Sequence, residues 1–431
     1  MKVHWNFSYQ NMTFDLSGEI FFDNKKPYME AYSSQLSFVE IETIKELALT
    51  GLYNTQVVDM DGKHYSLYRC YFANYRESYA DGELVFTIKV CFDLAIRQRN
   101  LETAYYGCSF TFQNIEKLFP LNEFDINLLG EELEKIEIDI TREVPICVSL
   151  CEGVSLKIAS EYSGLYSGDQ IYSMNIGQTK RVYLTFSNAQ NLDYILQLIK
   201  QLKEFFELCL LCELQLCDVR LGTDSAHCID KITWSPFYVS EGVSFREKNF
   251  AFYGTSNNII CGLLGWIKNY QTLQLGISIW QKQIYNTQID QNDIILWNGQ
   301  AIEAICEQYA PLFEIAKKHA DNRAVQAGKR SAGSPNLVDY LHAINSFSQT
   351  ENSYTNHFMD AKKVRDKLTH NNPQKAVSKT QLLNTELLLT FYAQKALFSI
   401  IGLREFKRAP LLFSNNMSLK TISSIQPRTL N

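Results

Sequence analysis

The period of the hydrophobic pattern changes once, after Asn257-Asn258, and that change constrains the chain more than any other feature. Before it, β-branched and aromatic runs dominate, several of them alternating: Leu16–Phe22, Leu36–Ile41, Leu84–Val90 and Arg181–Phe186. Alternation at period two is the signature of half-buried strands. Gln56–Met60 and Lys63–Tyr71 flank Asp61-Gly62, a strong two-residue hairpin signal. One interruption, Leu192–Leu211, carries its apolar residues at helical spacing, and the strand-like segments Glu213–Arg220 and Ile232–Val239 follow it. Residues 1–255 therefore read as a β-rich domain, a sandwich or barrel with a packed helix.

Beyond the change, Ile260, Leu263, Leu264, Ile267, Leu273, Ile277, Trp280 and Ile284 step by three or four, as along a long amphipathic helix. A second helix starts with Asp290 or Asn292 as cap and is kinked or split at Pro311. The polar stretch His319–Asn336, with Gly328, Gly333 and Pro335, reads as a mobile loop. Further helices follow over Leu337–Phe347, from near Thr355, and from about Ser378 to Leu403, the last closed by Gly402. Residues 256–431 thus read as an all-α bundle of four to five helices, and the fold class is α+β.

With 431 residues the chain has room for two or three domains. Charge is divided unequally between its parts. Residues 259–431 hold 19 Lys and Arg against 12 Asp and Glu, a balance of +7, which leaves −13 on the preceding part. A polyanionic ligand is then expected on the C-terminal part. The N-terminus enters strand-like alternation with no apolar core of signal-peptide length. The greasiest run, Leu387–Leu403, is broken by Gln394 and Lys395 and reads as a buried helix rather than a membrane span. Eleven scattered cysteines, an odd number, read as reduced thiols, so a cytoplasmic protein without a membrane segment is expected.

One stretch concentrates chemistry: Lys363-Val364-Arg365-Asp366-Lys367-Leu368-Thr369-His370-Asn371-Asn372-Pro373. It reads as a helix end, because Asn371 and Asn372 suit the left-handed conformation and Pro373 stops a helix. At about 100° per residue, Asp366 and His370 lie about 40° apart, and Arg365 about 140° from His370. An imidazole moves protons at neutral pH, and a guanidinium fork fits phosphate oxygens. Together they suit metal-free phosphodiester cleavage of a substrate that carries its own nucleophile, as RNA does in its 2′-OH. The plain alternative is surface charge at Arg365 and a satisfied helix-end histidine at His370.

Other groupings are weaker. Cys209, Cys212 and Cys217, with His227-Cys228 downstream, permit a zinc site, but Cys209 and Cys212 lie in an apolar run where core packing is the better reading. Gly328-Lys329-Arg330-Ser331 lacks the first glycine of a phosphate-binding loop. Asp59, Asp61 and Lys63 could mimic part of a metal nuclease, though the hairpin turn explains them better.

The Arg-x4-His segment, late in the penultimate helix, is preceded by Trp297-Asn298-Gly299-Gln300-Ala301-Ile302-Glu303-Ala304 and followed by a greasy helix ending Ser399-Ile400-Ile401-Gly402-Leu403. This layout over residues 259–405 resembles the HEPN domain, in its ApeA-like branch of bacterial anti-phage proteins. The resemblance implies a metal-independent endoribonuclease without cofactor, acting as an abortive-infection effector. It implies a homodimer, or a higher even-numbered oligomer, with a composite site on the two-fold axis. His370 would then serve as general base or acid, Arg365 would bind the scissile phosphate, and Asp366 would orient the imidazole. Lys367, Asn371, Arg323, Lys329 and Arg330 would track the RNA backbone. Glu303 either pairs with a basic residue across the bundle or is a plain polar position. The N-terminal domain would sense a trigger, a phage-derived one in this setting, or restrain its neighbour. The rival reading is a non-catalytic scaffold or sensor that binds RNA or a nucleotide through the same helix.

Overall fold

The computed structural model describes residues 1–21, 27–48, 53–80, 83–92, 94–96, 104–119, 125–129, 135–139, 145–166, 174–210, 213–222, 232–233, 256–285, 290–328, 333–348, 354–370 and 377–403. The chain divides into two compact units, Met1–Lys203 with Leu214–Gly242, and Glu204–Glu213 with Val243–Asn431.

The first unit begins with a closed β-barrel. Its strands are β1 (Lys2–Tyr9), β2 (Met12–Phe21) and β3 (Tyr28–Ser33), then, after helix α1 (Phe38–Ala48), β4 (Tyr53–Asp59), β5 (His64–Ala80) and β6 (Glu83–Cys91). They run in the order β4-β1-β2-β3-β6-β5, and β4 also pairs with β5, which closes a six-stranded ring; β7 (Leu94–Ile96) adds to β5. Alternation fills the interior: Trp5, Phe14, Leu16, Ile20, Met29, Val57, Leu67, Phe86, Ile88 and Val90 are all buried. Closure removes the unpaired edges that an open sheet of this kind would expose. The first hairpin turns through Gln10 and Asn11, both with positive φ, as a type I′ turn requires. The Asp61-Gly62 hairpin forms too, with Gly62 at φ 75°. Asp59 explains its stability: its Oδ1 accepts from the backbone N–H of Asp61 at 2.9 Å and of Lys63 at 2.8 Å. The Asp59, Asp61 and Lys63 grouping is thus the turn itself.

Leu36–Ile41 corrects the strand expectation, since α1 begins at Phe38. Ser37 and Glu40 form a reciprocal cap: Glu40 N–H donates to Ser37 Oγ at 3.3 Å, and Ser37 N–H to Glu40 Oε2 at 2.7 Å. Ile41, Ile44 and Leu47 then bury one helical face.

After the barrel come β8 (Tyr105–Phe112), the hairpin of β9 (Asp125–Leu129) and β10 (Lys135–Asp139), β11 (Ile146–Cys151), β12 (Val154–Tyr166), β13 (Met174–Gln190), α2 (Leu192–Leu210), β14 (Leu216–Gly222) and β15 (Ile232–Thr233). Six of these strands form a second sheet in the order β11-β12-β13-β8-β14-β15. α2 matches the helical spacing at Leu192–Leu211, and the boundary between the units falls within it, after Lys203. The strand expected at Ile232–Val239 begins as β15; residues 234–239 lie outside the described part.

Residues 256–431 hold six helices among the described residues, one more than the upper expectation: α3 (Ser256–Tyr285), α4 (Gln291–Gln308), α5 (Ala310–Gln326), α6 (Leu337–Phe347), α7 (Thr355–His370) and α8 (Lys379–Ile401). Asp290 caps α4, and Pro311 splits rather than kinks, because it sits in the first turn of α5, where a missing N–H costs nothing. The expected loop at His319–Asn336 is corrected as well. α5 continues to Gln326, burying Ala316, Ala320 and Ala324 at four-residue spacing beneath a largely polar surface on which Val325 is exposed. Ser378 and Gln381 cap α8 reciprocally, and Gly402 at φ 82° closes it. α3 packs closely through glycines: a Cβ on Gly265 would lie 2.1 Å from the Ile401 carbonyl oxygen, so only Gly lets the end of α8 come so near.

Candidate functional site

α7 owes its orientation to three apolar residues, Phe358, Ala361 and Val364, which lie on one face and are buried. The Phe358 ring meets Tyr392 of α8 edge-on, with centroids 5.1 Å apart. Facing α7 is α4, whose rotation is pinned by a buried amide. Asn298 Nδ2 donates to Thr390 Oγ1 of α8 at 2.9 Å and to Gln283 Oε1 of α3 at 3.2 Å. A buried amide is costly unless bonded, so these contacts specify one rotational setting.

In that setting Gly299 and Glu303, one turn apart on α4, both meet Arg365. The Arg365 stem crosses Gly299, where an added Cβ would lie 3.4 Å from Cγ and 3.5 Å from Nε. Its Nη2 is hydrogen-bonded and ion-paired to Glu303 Oε2. Nη1 lies 3.4 Å from Asp366 Oδ1. The Arg365 side chain is 19% exposed, so it lies mostly within the bundle with its fork held at a defined place. Burial pushes the Glu303 carboxyl above the usual carboxylate range; Arg365 opposes that shift, and Glu307 and Asp366 add to it.

The other expected site residues divide clearly. His370 is the last residue of α7 and is exposed, and its ring makes no hydrogen bond or ion pair among the described residues. The Asp366 carboxylate is held by Lys362 one turn earlier and approached by Arg365. Lys367 lies half-buried in the same turn. Asn371, Lys329 and Arg330 fall outside the described residues, as do Asn372 and Pro373. Arg323, on α5 rather than in a loop, is bidentate to Asp339 of α6, with Nη2–Oδ2 2.7 Å and Nε–Oδ1 3.2 Å. Asp339 is almost fully buried and also accepts from the Asn336 N–H at 2.9 Å, so Arg323 braces the start of α6.

The bond between Arg365 and Glu303 is the feature that sequence reading left open. The signal for it was Gly299-x3-Glu303 on one face of α4, small residue then carboxylate, which suits the stem and head of an arginine from a neighbouring helix.

Of the zinc alternative, Cys209 is buried in α2 with its thiol pushed well up by burial; Cys212, His227, Cys228 and the side chain of Cys217 lie outside the described residues. No group of three or more His, Cys, Asp or Glu is placed to hold a metal among the described residues. No helix among them is long and apolar enough to cross a membrane.

Fold and site together define an α+β protein: a β-barrel and a second sheet, followed by a helical bundle bearing an Arg-x4-His helix end. The family model of ApeA N-terminal domain 1 matches residues 4–240, more than half of the chain, and the protein belongs to the ApeA family. Membership sets it in the context of anti-phage defence. No curated protein and no solved structure matches the chain.

Proposed function

We propose that the protein is a metal-independent endoribonuclease of HEPN type that acts as an abortive-infection effector. In this reading residues 256–431 form the HEPN domain and cut RNA, while residues 1–255 sense a phage-derived trigger or restrain cutting. The observation that carries it is the end of α7. There a half-buried guanidinium is held by Glu303, and an exposed imidazole ends the same helix, in a chain with an ApeA N-terminal domain.

Chemistry follows from those two groups. His370 takes the proton of the 2′-OH, or gives one to the leaving 5′-oxygen. The 2′-oxygen bonds to phosphorus as the bond from phosphorus to the 5′-oxygen breaks, leaving a 2′,3′-cyclic phosphate and a 5′-hydroxyl. Arg365 offers remaining N–H donors to the non-bridging oxygens, whose charge grows in the transition state. Pairing two α7 ends in a homodimer, or in a higher even-numbered oligomer, would double both groups in one groove. Lys367, Asn371, Arg323, Lys329 and Arg330 are the proposed backbone contacts, with Arg323 acting from its position against Asp339.

Purified full-length protein incubated with total RNA in EDTA tests this. Cleavage to 2′,3′-cyclic ends, lost in His370→Ala, is the expected result. No cleavage in any activated state, or undiminished cleavage by His370→Ala, would refute it.

A second reading has its own support. Glu303 and Asp366 largely neutralise Arg365 within one subunit, as in a structural ion pair. That suits a non-catalytic dimerising scaffold, in which Arg365→Ala alters assembly or binding and relieves no toxicity.

A further inference from the structure

We infer that Glu303 is a positioning residue for Arg365, and that α4 thereby builds half of the phosphate-binding site. The inference rests on the RNA-directed reading of Arg365 given above.

An arginine is useful to a phosphate only when its fork arrives in one orientation, and a free arginine has many. α4 removes that freedom in two places. The missing side chain of Gly299 leaves room for the Arg365 stem, and one turn on, Glu303 takes the Nη2 end of the fork. Glu303 is the contact made across helices; Asp366 lies next to Arg365 in sequence and reaches Nη1 only at 3.4 Å. α4 is itself locked through Asn298, so the carboxylate is carried by a helix that is bonded to both α3 and α8. The pairing is mutual. Glu303 is 26% exposed and has Glu307 and Asp366 as acidic neighbours, and Arg365 is the cation that offsets its burial. Of five guanidinium N–H groups, the contacts at Nη2 with Glu303 and at Nη1 with Asp366 leave others to face a ligand. The arrangement orients the group without consuming it.

The rival role for the same carboxylate is competitor, holding Arg365 away from phosphate. The two roles have opposite signs. A double-mutant cycle in the full-length protein separates them, using Glu303→Ala, Arg365→Ala and the pair, with Glu303→Gln as the conservative variant. Positioning lowers kcat/KM about ten- to a hundredfold in Glu303→Ala, the scale of a lost charge-assisted hydrogen bond. It leaves Glu303→Gln between that and the parent, since the amide oxygen still accepts. In the Arg365→Ala background, removing Glu303 changes the rate by about twofold or less, because its partner is gone. Added guanidinium partly restores Arg365→Ala only while Glu303 is present. Circular dichroism of each variant separates loss of fold from loss of orientation.

Equal losses in both backgrounds would reduce Glu303 to a stability role, and a gain of activity in Glu303→Ala would make it the competitor. Either result overturns the inference, as would an unchanged rate. RNA binding by the His370→Ala protein, with and without Glu303→Ala, gives a readout that needs no turnover; about tenfold weaker binding is expected. Cleavage that depends on Arg365 but is indifferent to Glu303 removes this inference alone. Absence of both cleavage and RNA binding removes the nuclease reading, and the inference with it.

Discussion

Arg365 and Glu303 are joined across α7 and α4 by an ion pair between residues 62 positions apart in sequence, while His370, on the same helix as Arg365, faces solvent. The Arg365 side chain is thus held in place, while the imidazole is exposed at the end of the helix. His370→Ala should lower RNA cleavage on the order of a hundred- to ten-thousandfold, the usual worth of a positioned acid or base. Its thermal midpoint should hardly move, because an exposed ring at a helix end supports little structure. Cleavage assays and thermal unfolding on the same preparation check both halves. In cells, the variant should relieve overexpression toxicity.

Gly299 gives a test that touches neither charge. A Cβ there would already lie 3.4 Å from Arg365 Cγ, so the larger side chain of Gly299→Leu must push the arginine stem away. Leu is a better helix former than Gly by roughly half a kcal/mol or more, so α4 itself should not suffer locally. The expected outcome is loss of Arg365-dependent RNA binding in a protein that still shows full helical circular dichroism.

How much of this was legible in the chain depends on range. The long helix after Asn258 declared itself through three- and four-residue spacing, and the terminal glycine of α8 sits where a left-handed cap is needed. Leu36–Ile41 misled because β-branched and aromatic residues outvoted a local signal, the Ser37-x-x-Glu40 cap that starts α1. α5 was hidden by its polar surface, although Ala316, Ala320 and Ala324 mark a thin buried stripe. Barrel closure rests on β4 pairing with both β1 and β5, and no single strand's composition encodes which edges meet. The Arg365–Glu303 pair is of the same kind. Each helix shows its own face, but the rotation and offset between two helices emerge only when Asn298 finds Thr390 and Gln283.

Arg323 should prove a stability residue whatever its part in RNA contact. Arg323→Ala strips a bidentate partner from Asp339, which is only 3% exposed and whose Oδ2 also accepts from the Asn336 N–H. Leaving a buried carboxylate unpaired costs about 1–3 kcal/mol, more than exposed surface pairs contribute. A lower urea midpoint with unchanged m-value is expected. Arg323→Ala combined with Asp339→Asn should recover part of the loss, since the buried charge is then gone.

Lys395 sets the pH dependence to look for. It is buried in α8 with neutral partners, donating to Asn345 Oδ1 at 2.6 Å beside the Tyr392 ring at 4.9 Å. Burial lowers its pKa to about 7, against an unfolded value near 10.4. Between those two values the unfolded chain holds the extra proton, so this group makes stability rise with pH from about 7 towards about 10. Below about 7 both states are protonated and the full cost of burying the ammonium is borne. Lys395→Met keeps the length and apolar stem, and Tyr392 Oη still donates to Asn345 Oδ1 at 2.8 Å. The variant should therefore be more stable than the parent by on the order of 1–3 kcal/mol at pH 6.5, with the gap closing by pH 9.5. Urea unfolding at those two pH values reads the difference directly, and an equal gap at both would show that Lys395 keeps an ordinary pKa in the folded chain.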